Sequence, residues 1–165
     1  MSSSSPEARR PVVIRVSGPR SNVGKTTLIE RLIPAIADRG LRVGTIKHTH
    51  HGFDLDHPGK DSDRHRVAGA AATVLVGPSS TATLLHDHPH VGLDEAVAQL
   101  ARHVDVVLAE GFRAATGFVI HLDPARDARL THEASVITIG VLPDELEPVE
   151  LTRIVDECLA TRIAS

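Results

Sequence analysis

The sequence has no tryptophan and no tyrosine, and three phenylalanines make up its whole 2% of aromatic residues. A core without large rings must be filled by Val, Ile, Leu and Ala, the side chains that pack buried parallel strands. Cysteine occurs once, at Cys158, so no intramolecular disulfide is available. That fits a reducing compartment, and with no signal-like apolar core near the N-terminus a cytoplasmic protein is expected. No apolar run approaches the ~18 residues of a membrane-spanning helix, so no membrane partner is expected. Positive charge is not in surplus either. The formal net charge of −3 argues against binding nucleic acid through general phosphate neutralisation.

What is present is enough apolar chain for one domain: 165 residues, 41% of them hydrophobic. Residues 1–10, MSSSSPEARR, are polar and aperiodic and read as a disordered tail, leaving 11–165 as a single domain. Strand and helix patterns alternate along that domain. Strands are expected at 12–16, 42–47, 72–76, 81–85, 105–109, 117–122 and 135–141. Helices are expected at 25–39, 61–70, 93–104 and 150–163. Pro34 falls inside the first and should bend it, because proline has no N–H to donate. The alternation predicts an α/β fold, a mostly parallel central sheet with helices on both faces.

The strongest local signal is SGPRSNVGKTT at 17–27, between an apolar strand and an amphipathic helix carrying Leu28, Ile29, Leu32, Ile33 and Ile36. A helix N-terminus offers unpaired N–H groups and a positive dipole end to a polyphosphate. Asn22 and Val23 lie in the loop, and Gly24 lets the backbone approach the phosphates. Lys25 adds a fixed positive charge and Thr26 a hydroxyl for Mg²⁺. Five residues separate Gly18 from Gly24, one more than the common spacing, with Pro19 where the first glycine would stand. Either the loop is one residue longer or Gly18 serves from a shifted position. Nucleotide binding is the prediction.

The polar stretch after the second strand holds His48, His50, His51, His57 and His65 with Asp54, Asp56, Asp61 and Asp63. Ligands of open α/β sheets bind at the carboxyl ends of strands, where this loop starts and where Lys47 closes its strand. Asp54 or Asp56 offers hard oxygen to Mg²⁺, directly or through water. Two other readings stand beside that one. The imidazoles form a Zn²⁺ or Ni²⁺ site, or the segment is only a solvated loop. A third signal is VDVVLAEGF at 104–112, an apolar strand ending in Glu110, whose carboxylate is placed to orient Mg²⁺ or a water. Gly111 then turns the chain sharply out of the strand.

Together, GKTTLIERLIPAIADRG, VGTIKHTHHGFDLDHPGKDSDRHRVAGA and VVLAEGF resemble the molybdopterin-guanine dinucleotide biosynthesis adaptor (MobB) family, over roughly residues 12–113. The resemblance implies a P-loop NTPase fold, a homodimer, and GTP bound with Mg²⁺. It implies a weak GTPase that assists a separate guanylyltransferase in attaching GMP to molybdopterin. Carried over by position, Gly24, Lys25, Thr26 and Thr27 hold phosphates and metal. The Asp54/Asp56 segment and Glu110 face the γ-phosphate with Lys47 near them. His48, His50 and His51 line the cleft between the nucleotide and its pterin partner. The residues expected to serve the chemistry itself are Lys25, Asp54 and Glu110, and the metal ligands Thr26, Asp54, Asp56 and Glu110. Position 113 is Arg where the family pattern carries Lys, which keeps the charge and changes its geometry. No N-K-x-D string is present, so GTP over ATP rests on the resemblance, with 138–146, TIGVLPDEL, as a candidate base contact.

Two functions from other classes compete. A nickel-chaperone-type metal-delivery GTPase would use the His loop and the second run His86-Asp87-His88-Pro89-His90, although no Cys-Pro ligand pair accompanies them. An independent small-molecule kinase would need a substrate base and a lid, and neither is recognisable.

Overall fold

The computed structural model describes residues 10–49, 52, 57–86, 91–112 and 117–160. The predicted positions His50, His51, Asp54, Asp56, Asp87, His88, Pro89, His90 and Arg113, with the tail at 1–9, lie outside the described residues.

The chain forms two compact units, 1–48 with 93–165, and 49–92. The larger contains β1 (Val12–Ser17), α1 (Lys25–Ala37), β2 (Val43–Lys47), α3 (Leu93–Leu100) and β5 (Val106–Glu110). It continues with β6 (Phe118–Leu122), β7 (Leu130–Glu133), β8 (Val136–Ile139), a 3-10 turn at Pro143–Glu145, and α4 (Pro148–Ala160). The smaller contains α2 (Asp61–Val67), β3 (Ala72–Val76) and β4 (Thr81–Leu85). No described helix is long and apolar enough to cross a membrane.

Six strands make the central sheet in the order β2-β5-β1-β6-β8-β7. Every pairing is parallel except β7 with β8, as the mostly parallel α/β expectation requires. The apolar face of α1 (Leu28, Ile29, Leu32, Ile36) and that of α4 (Leu151, Ile154, Val155, Cys158) pack on one face of the sheet. Beneath them lie Ile14, Val16, Leu108, Ile120, Leu122, Ile137 and Ile139, all aliphatic as the composition demanded. Each such side chain, fully buried, contributes about 1.5–3 kcal/mol. The opposite face carries the alternate residues. There Gly44 pairs with Val107, and a Cβ on Gly44 would meet Val104 and Leu100, which places the end of α3 over that row. Helices therefore cover both faces.

Several boundaries move. The first helix ends at Ala37, not at 39, and its turn closes with the Gly40 N–H on the Ala37 carbonyl at 2.8 Å. Pro34 sits inside the helix as predicted. The third helix stops at Leu100, where the His103 N–H bonds the Leu100 carbonyl at 2.8 Å. Val104, assigned to that helix by periodicity, is buried just before β5 instead. The second helix is likewise shorter than 61–70, ending at Val67, and the last starts at Pro148, where a missing N–H costs nothing. The strand β7 was not expected, because its turn to β8 is Ala134-Ser135 and lacks any Gly or Asn signal. Ala134 nevertheless takes φ 48°.

The expected strands at 72–76 and 81–85 form an antiparallel sheet of their own. Ala72 pairs with Leu85, Val74 with Thr83 and Val76 with Thr81, so Val74, Val76 and Leu85 share a face. All three are exposed, Val76 to 80%.

Candidate functional site

The loop after β1 and the start of α1 build the site. Gly24 is the N-cap of α1 with φ 101°, a left-handed conformation that favours glycine, and Asn22 before it has φ 58°. No side chain caps this end of the helix, so its first amides keep their donor capacity. The first intrahelical bond runs from the Leu28 N–H to the Gly24 carbonyl at 2.9 Å. Val23 is buried in the core and anchors the loop, while Asn22 and Thr26 are exposed.

Gly18 retains a role despite the longer spacing. A Cβ there would meet Val23 Cγ1 at 2.7 Å and the Leu122 carbonyl at 2.9 Å, so the loop folds back over β6 only because position 18 has no side chain. Gly24 is as closely held, its Cβ direction running into Pro143 Cδ at 2.9 Å. Lys25 donates its ammonium to the Arg20 carbonyl at 2.8 Å, which folds the side chain back over its own loop.

Beside the loop stands a second group. Parallel pairing sets Val16 next to Glu110 and Glu110 next to Lys47, so both charged residues end their strands at the edge where the loop begins. Their side chains meet at 3.5 Å, with the Glu110 side chain 13% exposed and that of Lys47 66%. The His48 N–H donates to the Glu110 carbonyl at 2.9 Å, and the His48 ring lies 5.2 Å from that of Phe112. Gly111, at φ 95°, makes the turn between them, where a Cβ would stand 2.8 Å from the His48 carbonyl. The arrangement can present backbone amides, two cations and a carboxylate to one anionic ligand.

The structure thus gathers Lys47, His48 and Glu110 at the strand edge where the loop carrying Asn22, Val23, Gly24, Lys25, Thr26 and Thr27 begins. Sequence reasoning missed three supports. Arg15, buried in β1, donates to the Phe112 carbonyl at 3.0 Å and ties the strand to the chain leaving Glu110. Ser17 Oγ and His121 Nδ1 stand 2.9 Å apart across β1 and β6. Arg31 of α1 donates to the carbonyls of Pro143 and of Leu146, the latter at 2.8 Å, and holds the 3-10 turn. An arginine inside an apolar strand was the one visible signal.

Among the described residues no group of three or more His, Cys, Asp or Glu is placed to hold a metal ion. Cys158 is buried, which pushes its thiol up to about 12, and it takes part as core filling.

Residues 13–139 match the family of molybdopterin guanine dinucleotide synthesis protein B. Over 96 residues the chain is 43% identical to the molybdopterin-guanine dinucleotide biosynthesis adapter protein of Escherichia coli (strain K12), covering 56% of this chain and 55% of that one. It is 42% identical over 94 residues to the adapter protein of the same description from Haemophilus influenzae, covering 56% and 53%. The chain spans about half the length of these curated relatives. The crystal structure of Bacillus subtilis MobB aligns with a TM-score of 0.62 at 21% identity, over 88% of this chain and 96% of that one, a likeness of fold.

Proposed function

Because the chain belongs to the family of molybdopterin guanine dinucleotide synthesis protein B, we propose that it is a GTP-binding adaptor of molybdenum cofactor maturation. In this reading it assists a guanylyltransferase that converts molybdopterin to molybdopterin guanine dinucleotide, and hydrolyses GTP slowly at most. One observation carries the nucleotide half of the proposal. The uncapped start of α1, with Gly24, Lys25 and Thr26, lies at the strand edge shared with Glu110 and Lys47.

The chemistry follows from charge. A triphosphate placed against the α1 amides meets a positive dipole end and the Lys25 ammonium, which exchanges the Arg20 carbonyl for a phosphate oxygen. Thr26 and Glu110 supply hard oxygen donors of the kind Mg²⁺ takes, and these are the described residues that would hold it. Bound there, Mg²⁺ would neutralise phosphate charge. Lys47, 3.5 Å away, holds the Glu110 carboxylate in place at the sheet edge. Asp54 and Asp56 remain proposed contributors, and His48, His50 and His51 the proposed lining toward the pterin partner.

A homodimer is part of the same reading. The exposed apolar face of Val74, Val76 and Leu85 supports it, since a two-stranded sheet is at best marginal alone and such a face calls for cover.

The test is formation of the guanine dinucleotide cofactor by a purified guanylyltransferase at limiting GTP, with and without this protein. Stimulation is expected, and Lys25→Ala is expected to abolish it together with GTP binding, by at least about a hundredfold. Unchanged GTP affinity in that variant would show the phosphate site to be elsewhere. Intact GTP binding without stimulation would leave a nucleotide-binding protein of another pathway, and calorimetry with Zn²⁺ and Ni²⁺ would then test metal delivery.

A further inference from the structure

The sheet order separates the two ends of a nucleotide. Glu110 and Lys47 end β5 and β2, on one side of β1. On the other side lie β6 and β8, and the chain leaving β8 enters the turn at Leu142–Glu145. A triphosphate whose terminal phosphate faces Glu110 must send its ribose and base toward that second side. The turn is within reach of the phosphate loop, because the Gly24 Cβ direction ends on the Pro143 ring.

This turn is held from several sides. Pro143 and Leu146 are buried on either side of its crest. Arg31, one turn along α1 from Thr27, donates to the carbonyls of both. The Leu142 N–H is held by Glu145 Oε2 at 3.0 Å, and Arg129 donates to the Glu145 carbonyl. With Glu145 occupied, Asp144 is left at the crest, exposed and with no described partner. Near it Leu142 is 50% exposed, an apolar surface beside a carboxyl group.

We propose that the Leu142–Glu145 turn is the base-recognition element of the nucleotide site, with the Asp144 carboxylate selecting guanine over adenine. Guanine presents two adjacent donors, N1–H and the 2-amino group, and a carboxylate accepts from both. Adenine presents an unprotonated N1 and no 2-amino group, so the same carboxylate meets a lone pair. Leu142 provides the contact for the flat apolar face of the base. The turn lies beyond the residues 13–139 matched to the family. The inference rests on the proposed nucleotide-binding function.

The experiment is isothermal titration calorimetry of the full chain with GTP, ATP and xanthosine triphosphate, each with Mg²⁺, for wild type, Asp144→Asn and Asp144→Ala. Wild type is expected to bind GTP at least about tenfold more tightly than ATP, the size of one charge-assisted hydrogen bond. Both variants should weaken GTP by about ten- to a hundredfold and leave ATP and the melting temperature unchanged. Asp144→Asn should also gain affinity for xanthosine triphosphate, whose N1–H and 2-oxo group match an amide's acceptor and donor. A GTP-to-ATP ratio that is the same in wild type and variants overturns the inference and leaves the nucleotide site standing. A wild-type protein that binds none of the three overturns the proposed function and this inference together.

Discussion

Lys47 and Glu110 are neighbours in adjacent parallel strands, their charged groups 3.5 Å apart at the edge where the loop between β1 and α1 begins. Glu110 is the more enclosed of the two, so the pair holds a carboxylate in place rather than a lysine. A carboxylate so held can orient a water for attack on a terminal phosphate without carrying the binding energy of the nucleotide. Glu110→Gln keeps shape and most hydrogen bonding and removes the charge. GTP affinity is expected to persist while phosphate release falls by about a hundredfold. Wild-type turnover in that variant would remove Glu110 from the chemistry.

Gly24 combines a left-handed backbone with contact on Pro143, at φ 101° and a Cβ-to-Cδ approach of 2.9 Å. An alanine there meets both obstacles. The backbone alone costs about 1–2 kcal/mol, and the proline ring, fixed by its own backbone, cannot swing aside as a flexible side chain does. Gly24→Ala is therefore expected to lower stability by at least that amount in urea unfolding and to lose GTP binding. A variant as stable as wild type would show that the loop relaxes freely.

The start of α1, the parallel sheet and the junction between β1 and α1 were legible because each has a strong local signature: apolar residues at helical spacing, short aliphatic strands, and a glycine-lysine-threonine string where strand gives way to helix. Glu110 and Lys47 were legible as strand-end charges, and parallel register brought them together. What local pattern does not encode was missed. The strand β7 follows from pairing with β8 across Ala134-Ser135, a turn with no marker residue. Arg31 clasping Pro143 and Leu146 joins positions more than a hundred residues apart, and only the folded chain reveals it. Val104 carries helical spacing but lies on the approach to β5, beyond the turn that closes α3 with the His103 N–H on the Leu100 carbonyl.

The face formed by Val74, Val76 and Leu85 gives the proposed homodimer a direct test. A twofold interface would bring the same face of both copies together, so one substitution enters it twice. Val76→Asp places two carboxylates within an apolar contact, and light scattering is expected to show a monomer where wild type is a dimer. The position is 80% exposed in the single chain, so the variant should still fold. A dimer that survives Val76→Asp and Val74→Asp would place the interface on another surface.

Acid should loosen the link between α4 and the chain before β7. Arg129 donates to both carboxylate oxygens of Glu150, at 2.6 and 2.8 Å, and the Glu147 N–H adds a third bond at 2.8 Å. Arg129 first, and then that N–H, hold the Glu150 carboxyl at about 2 against an ordinary value of 4.5. A carboxyl lowered on folding stabilises the native state above its unfolded value and loses that contribution as pH falls through the folded one. Wild type should therefore melt above Glu150→Gln by a constant margin at neutral pH. The margin should begin to narrow near 4.5 and close toward 2. Melting curves of both proteins from neutral pH to the acid limit of folding will show this. A margin independent of pH would mean that Glu150 acts through its shape and neutral hydrogen bonds, with its charge contributing nothing.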